Sequence, residues 1–125
     1  MSAAVHVEVD VANGLIVLTA SGALTSALLW EAVEAVQSTE GADPDYDLIF
    51  DGSAVEVDHG VDVREISQFE GKLAATDAKL AIVGQDDLHF GIGRMYEAWS
   101  AEVAGREMKV FRDLDAAREW ILSSR

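Results

Sequence analysis

Lys79-Leu80-Ala81-Ile82-Val83-Gly84, then Gln85-Asp86-Asp87-Leu88-His89, then Phe90-Gly91-Ile92-Gly93-Arg94-Met95-Tyr96-Glu97-Ala98-Trp99: the fold is read from this stretch. An apolar run of strand length leads through an acidic turn into a segment of helical periodicity. Counted from Ile92, the residues Met95, Tyr96, Trp99 and Val103 return to one face at i+3, i+4, i+7 and i+11. The pattern predicts a buried strand over Lys79–Gly84 and an amphipathic helix over Phe90–Val103, closed near Gly105, with Met95 and Trp99 in the core. Such a unit is the building block of a parallel α/β sheet.

Toward the C-terminus, Met108–Phe111 reads as a last strand, and Asp113 is placed to cap a helix burying Leu114, Ala117, Trp120 and Ile121. Toward the N-terminus, Val5, Val7, Val9 and Val11 alternate with His6, Glu8 and Asp10, the period of a half-exposed strand. Asn13-Gly14 is a hairpin signal, and Leu15 to Ser21 returns as a more buried strand that Gly22 breaks. Thr25 or Ser26 caps a helix whose Leu28, Leu29, Ala32, Val33 and Val36 share one face, with Trp30 at its margin. Tyr46–Asp51 is a third strand, and Asp51 to Gly60 reads as a loop with a short extended piece at Val55 and Val57. Asp62 caps a second helix burying Val63, Ile66, Phe69, Leu73 and Ala74. The expected order is β-β-α-β-α-β-α-β-α, a single domain over residues 1–125. Strand order within the sheet is left open.

The chain has no cysteine, which excludes disulfides, thiolate metal sites and cysteine nucleophiles. Its start lacks the basic and apolar regions of a signal peptide, and no apolar run approaches membrane-spanning length, so a cytoplasmic protein is expected. The net charge of −14 is unevenly spread: residues 1–63 hold 12 acidic residues and no Lys or Arg, residues 64–125 hold 11 acidic and 9 basic. This field disfavours nucleic acid and anionic lipid surfaces and favours a protein partner with a basic surface. A homo-oligomer is compatible with the sequence.

Phe90-Gly91-x-x-Arg94-Met95-Tyr96-Glu97, then Val110-Phe111-Arg112-Asp113-Leu114, then Ala117-x-x-Trp120-Ile121 together resemble the SpoIIAA-like branch of the STAS superfamily. The resemblance extends in outline over nearly the whole chain. It implies a mixed sheet, an N-terminal hairpin followed by parallel strands, with helices packed on it. STAS-type anti-sigma-factor antagonists carry a phosphorylatable serine at the start of the second helix, in an Asp-Ser-Ser-Gly-like motif. Counted from Asp51, the corresponding positions here read Asp58-His59-Gly60-Val61, with no Ser or Thr between Ser53 and Ser67. The usual phosphoacceptor is missing, and Ser53 is expected to turn the loop.

In open α/β sheets ligands gather at the carboxyl ends of the strands. Asp51, Ser53, Asp58, His59, Asp62, Asp86, Asp87, His89 and Asp113 are expected there, as a partner-facing edge or simply as caps and turn formers. No His or carboxylate spacing matches a metal site, and Asp43-Pro-Asp45-Tyr-Asp47 lacks the later glycine and glutamate of a calcium loop. Gly91-Ile-Gly93 lacks the third glycine of a dinucleotide fingerprint, where Tyr96 stands, so close backbone packing explains it better. No Gly-x-Ser-x-Gly elbow is present. The expectation is a non-catalytic interaction or regulatory module, without metal or cofactor, docking a protein partner through Asp58, His59, Asp62, Asp86 and His89. The alternative is a domain binding a small apolar or lipid-like ligand among Trp30, Phe69, Phe90 and Trp99.

Overall fold

A computed structural model describes residues 4–56, 65, 68, 78–99 and 107–123. Among them run five strands, β1 (Ala4–Asp10), β2 (Leu15–Ala23), β3 (Asp47–Glu56), β4 (Leu80–Val83) and β5 (Met108–Phe111). Three helices accompany them, α1 (Ser26–Ser38), α2 (Asp87–Trp99) and α3 (Leu114–Ser123). The expected second helix and the close of the helix after Phe90 fall largely outside the described residues: Asp62, Val63, Ile66, Phe69, Leu73, Ala74, Val103 and Gly105 are not among them, while Glu65 and Gln68 are helical.

The hairpin forms where Asn13-Gly14 predicts it. The Asp10 carboxylate accepts from the Asn13 backbone N–H at 3.1 Å and from its side-chain amide at 2.7 Å. β1 then lies antiparallel to β2, and every later pairing is parallel, in the order β1-β2-β3-β4-β5. The register lines up Ile16, Leu48, Leu80 and Met108 in one row across four strands. All four are buried with Leu29, Ala32, Val33 and Val36 of α1. One residue further along each strand the side chains point to the opposite face. There Val17, Ile49 and Ala81 meet Ala117 and Ile121 of α3, with Phe111, Leu114 and Trp120 partly buried around them. Each fully buried aliphatic side chain in these layers contributes about 1.5–3 kcal/mol of burial. The Thr25 hydroxyl accepts from Leu28 N–H at 3.2 Å and the Asp113 carboxylate from Ala116 N–H at 2.8 Å, so both expected caps are in place.

Two local expectations are corrected. β3 does not stop at Asp51 but continues to Glu56 beside β2, which itself runs through Gly22 to Ala23. Thr19 pairs with Asp51 and Ser21 with Ala54, so β3 spends an extra residue where the register shifts. Asp51-Gly52-Ser53 has turn chemistry, and the sheet uses it for this irregularity: the Asp51 side chain accepts from Ser53 N–H at 3.1 Å. Ser53 therefore lies within a strand.

The second correction concerns α2. It begins at Asp87, before Phe90, because Asp86 supplies a cap, and its apolar stripe is not the face laid on the sheet. Met95 is 69% exposed and Leu88 60%. The face toward the sheet instead carries Gly93 and Tyr96. A Cβ on Gly93 would sit 2.5 Å from Val110 Cγ2 and 3.7 Å from Ile82 Cγ2, so the bare backbone is what brings the helix down onto β4 and β5. Glu97, next on that side, accepts from Val110 N–H at 3.1 Å, an amide of the edge strand β5.

Candidate functional site

The turn between β4 and α2 joins several expected site residues. Gly84 ends the strand, its N–H donating to Phe111 C=O at 2.9 Å, and a Cβ there would meet the His89 carbonyl oxygen at 2.9 Å. Only a glycine lets the chain double back so tightly. Asp86 then caps α2, its Oδ1 accepting from His89 N–H at 2.7 Å.

The same carboxylate oxygen lies 2.6 Å from Nδ1 of the His89 ring, whose Nε2 lies 2.5 Å from the carbonyl oxygen of Val55 on β3. The His89 side chain is 14% exposed and that of Asp86 60%. The bond to the Val55 carbonyl, and after it the Asp86 carboxylate, raise the His89 pKa above the ordinary 6.5 against the opposing effect of burial. The His89 backbone N–H and then its ring hold the Asp86 carboxyl below the ordinary 3.8.

On the other side of the turn, Arg112 places Nη1 2.9 Å from Asp87 Oδ1 and 3.4 Å from the Gln85 carbonyl oxygen, with its guanidinium 4.3 Å from the centre of the Phe90 ring. Arg112 thus ties the loop after β5 to the start of α2. Its place beside Phe90 has no signal in the sequence spacing, because the two residues lie on different strand–helix units.

The search for similar proteins gives one decisive comparison. The chain superposes on an uncharacterized protein of the DUF3478 family with a SpoIIAA-like fold from Shewanella loihica PV-4, with a TM-score of 0.65 and 18% identity over 95% of this chain and 93% of that one. The fold is SpoIIAA-like. No protein-family model and no curated protein matches the chain.

Within this SpoIIAA-like sheet, Asp51, Asp86, Asp87, His89 and Asp113 all stand at the carboxyl ends of strands or in the turns that follow them. Asp86 and Asp113 cap helices, Asp51 serves the register shift, and Asp87 pairs with Arg112. The remaining docking candidates, Asp58, His59 and Asp62, lie outside the described residues. Of the aromatic set, Trp30 is 38% exposed on α1 and Phe90 lies under Arg112, while Phe69 and the Trp99 side chain lie outside what is described. The Ser53 hydroxyl oxygen is buried without a hydrogen-bond partner. Among the described residues, no His, Cys, Asp and Glu are grouped in a metal-binding arrangement, and no helix is long and apolar enough to cross a membrane.

Proposed function

We propose that the chain is a non-catalytic, cytoplasmic STAS-type interaction module that docks a protein with a basic surface through Asp58, His59, Asp62, Asp86 and His89. The observation that supports this best is the β4–α2 turn. The Asp86 and Asp87 side chains are 60% and 96% exposed, yet their backbone is pinned by the His89–Val55 bond on one side and by Arg112 on the other. A fixed acidic lip loses little conformational freedom when it binds, and its charge acts chiefly on the rate of encounter. His89 serves this edge by holding the turn in place, since both of its ring nitrogens are already engaged. With Asp58-His59-Gly60-Val61 where the family's phosphoacceptor segment stands, docking here is independent of a kinase.

The test is to recover partners by pull-down from the source cell and measure association with the Asp58→Asn, Asp62→Asn, Asp86→Asn triple variant at low salt. Slower association with an intact fold is expected, and the difference should shrink as salt is added. Unchanged rates would reduce the edge to ordinary solvated turns. Asp62→Ser keeps a capping oxygen while removing the charge, and so separates docking from helix stability.

A second reading, binding of a small apolar or lipid-like ligand, draws on Leu88 and Met95, which are 60% and 69% exposed along one flank of α2. Native mass spectrometry separates the two readings. A retained small molecule favours the ligand, and a bare chain that captures a protein favours docking.

A further inference from the structure

The His89 ring is faced at both nitrogens by oxygen, Asp86 Oδ1 at 2.6 Å from Nδ1 and the Val55 carbonyl at 2.5 Å from Nε2. A neutral imidazole has one N–H and one bare lone pair. A backbone carbonyl has no proton to give, and neither has an ionised carboxylate. In either neutral tautomer, therefore, one ring nitrogen would press its lone pair against an oxygen at hydrogen-bond distance. Only the imidazolium donates to both acceptors. The side chain is 14% exposed, which leaves little room for water to relieve the mismatch.

The two acceptors belong to elements far apart in the chain, one to the turn that starts α2 and one to the end of β3, 34 residues away from His89. We propose that His89 is a proton-operated latch, fastening the end of β3 to the first turn of α2 as an imidazolium and releasing the Val55 carbonyl when it loses a proton to solvent. The bond that survives is Nδ1–H to Asp86, because a charged acceptor holds a donor more strongly than a neutral carbonyl does. The bond that breaks is Nε2–H to Val55. β3 is then held at this end by its pairing with β2, which closes with Leu24 N–H donating to Glu56 C=O at 2.8 Å.

Among the described residues, the other charged groups next along the elements touching the ring are Asp87 on α2, whose carboxylate Arg112 holds, and Glu56 after Val55 on β3. Asp86 is the one that bonds the ring directly. The raised His89 pKa and the lowered Asp86 pKa bracket the range in which the latch is closed. It opens on the alkaline side as His89 deprotonates, and it weakens on the acidic side as Asp86 protonates. The latch is independent of whether any partner docks on the same edge.

The experiment is a ring-nitrogen and backbone-amide NMR titration of the full chain across the histidine range. At neutral pH both His89 nitrogens should read as protonated, and the midpoint should lie above that of the same residue in the urea-unfolded chain. The amides of Leu24, Val55 and Glu56 should shift with that midpoint, and protection of the Leu24 amide from exchange should fall several-fold above it, after correction for intrinsic exchange. Asp86→Asn keeps an acceptor for the helix cap but removes the charge, and should lower the midpoint without loss of helical signal. A single neutral tautomer at neutral pH would overturn the latch. So would strand-end amides blind to the His89 titration, or an Asp86→Asn midpoint equal to that of the wild type. The wild-type titration decides the matter even if the variant fails to fold.

Discussion

Gly91 and Gly93 stand two positions apart on α2, and replacing each by alanine should change stability in opposite directions. In a helix interior, Gly→Ala stabilises by about 0.5–1 kcal/mol, because alanine has less backbone freedom to lose on folding. At Gly91 nothing lies within 4 Å of a new Cβ, so the full gain should appear. At Gly93 the new Cβ would lie 2.5 Å from Val110 Cγ2 and 3.2 Å from Val110 Cβ. Val110 is only 5% exposed and β-branched, so it has no free rotamer into which to retreat. Overpacking of this kind costs about 1–3 kcal/mol, which outweighs the helix gain and leaves Gly93→Ala destabilised by about 0.5–2 kcal/mol. Urea unfolding of both variants, with m held constant, measures the two effects. Adding Val110→Ala to Gly93→Ala removes the clashing methyl, and the pair should show favourable coupling in a double-mutant cycle. A Gly93→Ala protein as stable as Gly91→Ala would refute the close contact between α2 and β5.

Three further outcomes are expected. Met95→Ala should change the urea midpoint by less than about 0.5 kcal/mol, whereas Ile121→Ala should cost about 2–5 kcal/mol, since Met95 is 69% exposed and Ile121 fully buried; comparable losses at both sites would mean that α2 presents a different face. Phosphopeptide mapping of the protein from its own cells should find no stoichiometric phosphate on Ser53, whose hydroxyl oxygen is buried, or on Ser67, and phosphate at either would restore a kinase switch. The stability difference between wild type and His89→Gln should depend on pH. The raised His89 pKa makes its contribution complete below 6.5 and lost as pH rises through the folded value, while the lowered Asp86 pKa makes its contribution complete above 3.8 and lost as pH falls through its folded value. A difference that is flat across that range would rule out a charged pair.

The sequence by itself determined those features that depend on neighbours along the chain. The 3.6-residue repeat of Leu28, Leu29, Ala32, Val33 and Val36 names the buried face of α1, and all five are buried. Asn13-Gly14, Thr25 and Asp113 act within a few residues of their own positions, so the hairpin and two helix caps were legible from short-range chemistry. Tertiary structure decided whatever required one segment to meet another. Turn-forming Asp51-Gly52-Ser53 became part of a strand because β2 lay alongside to pair with it. On α2 the apolar stripe and the sheet-facing side differ, because close approach at Gly93 and the Glu97 bond to Val110 set the helix rotation, and neither partner is near in sequence. Asp86 and His89 were recognisable as candidates, three positions apart on a helix start, but the Val55 carbonyl that makes their pairing specific was not. A backbone carbonyl belongs to every residue alike, and only the folded sheet brings this one to the imidazole.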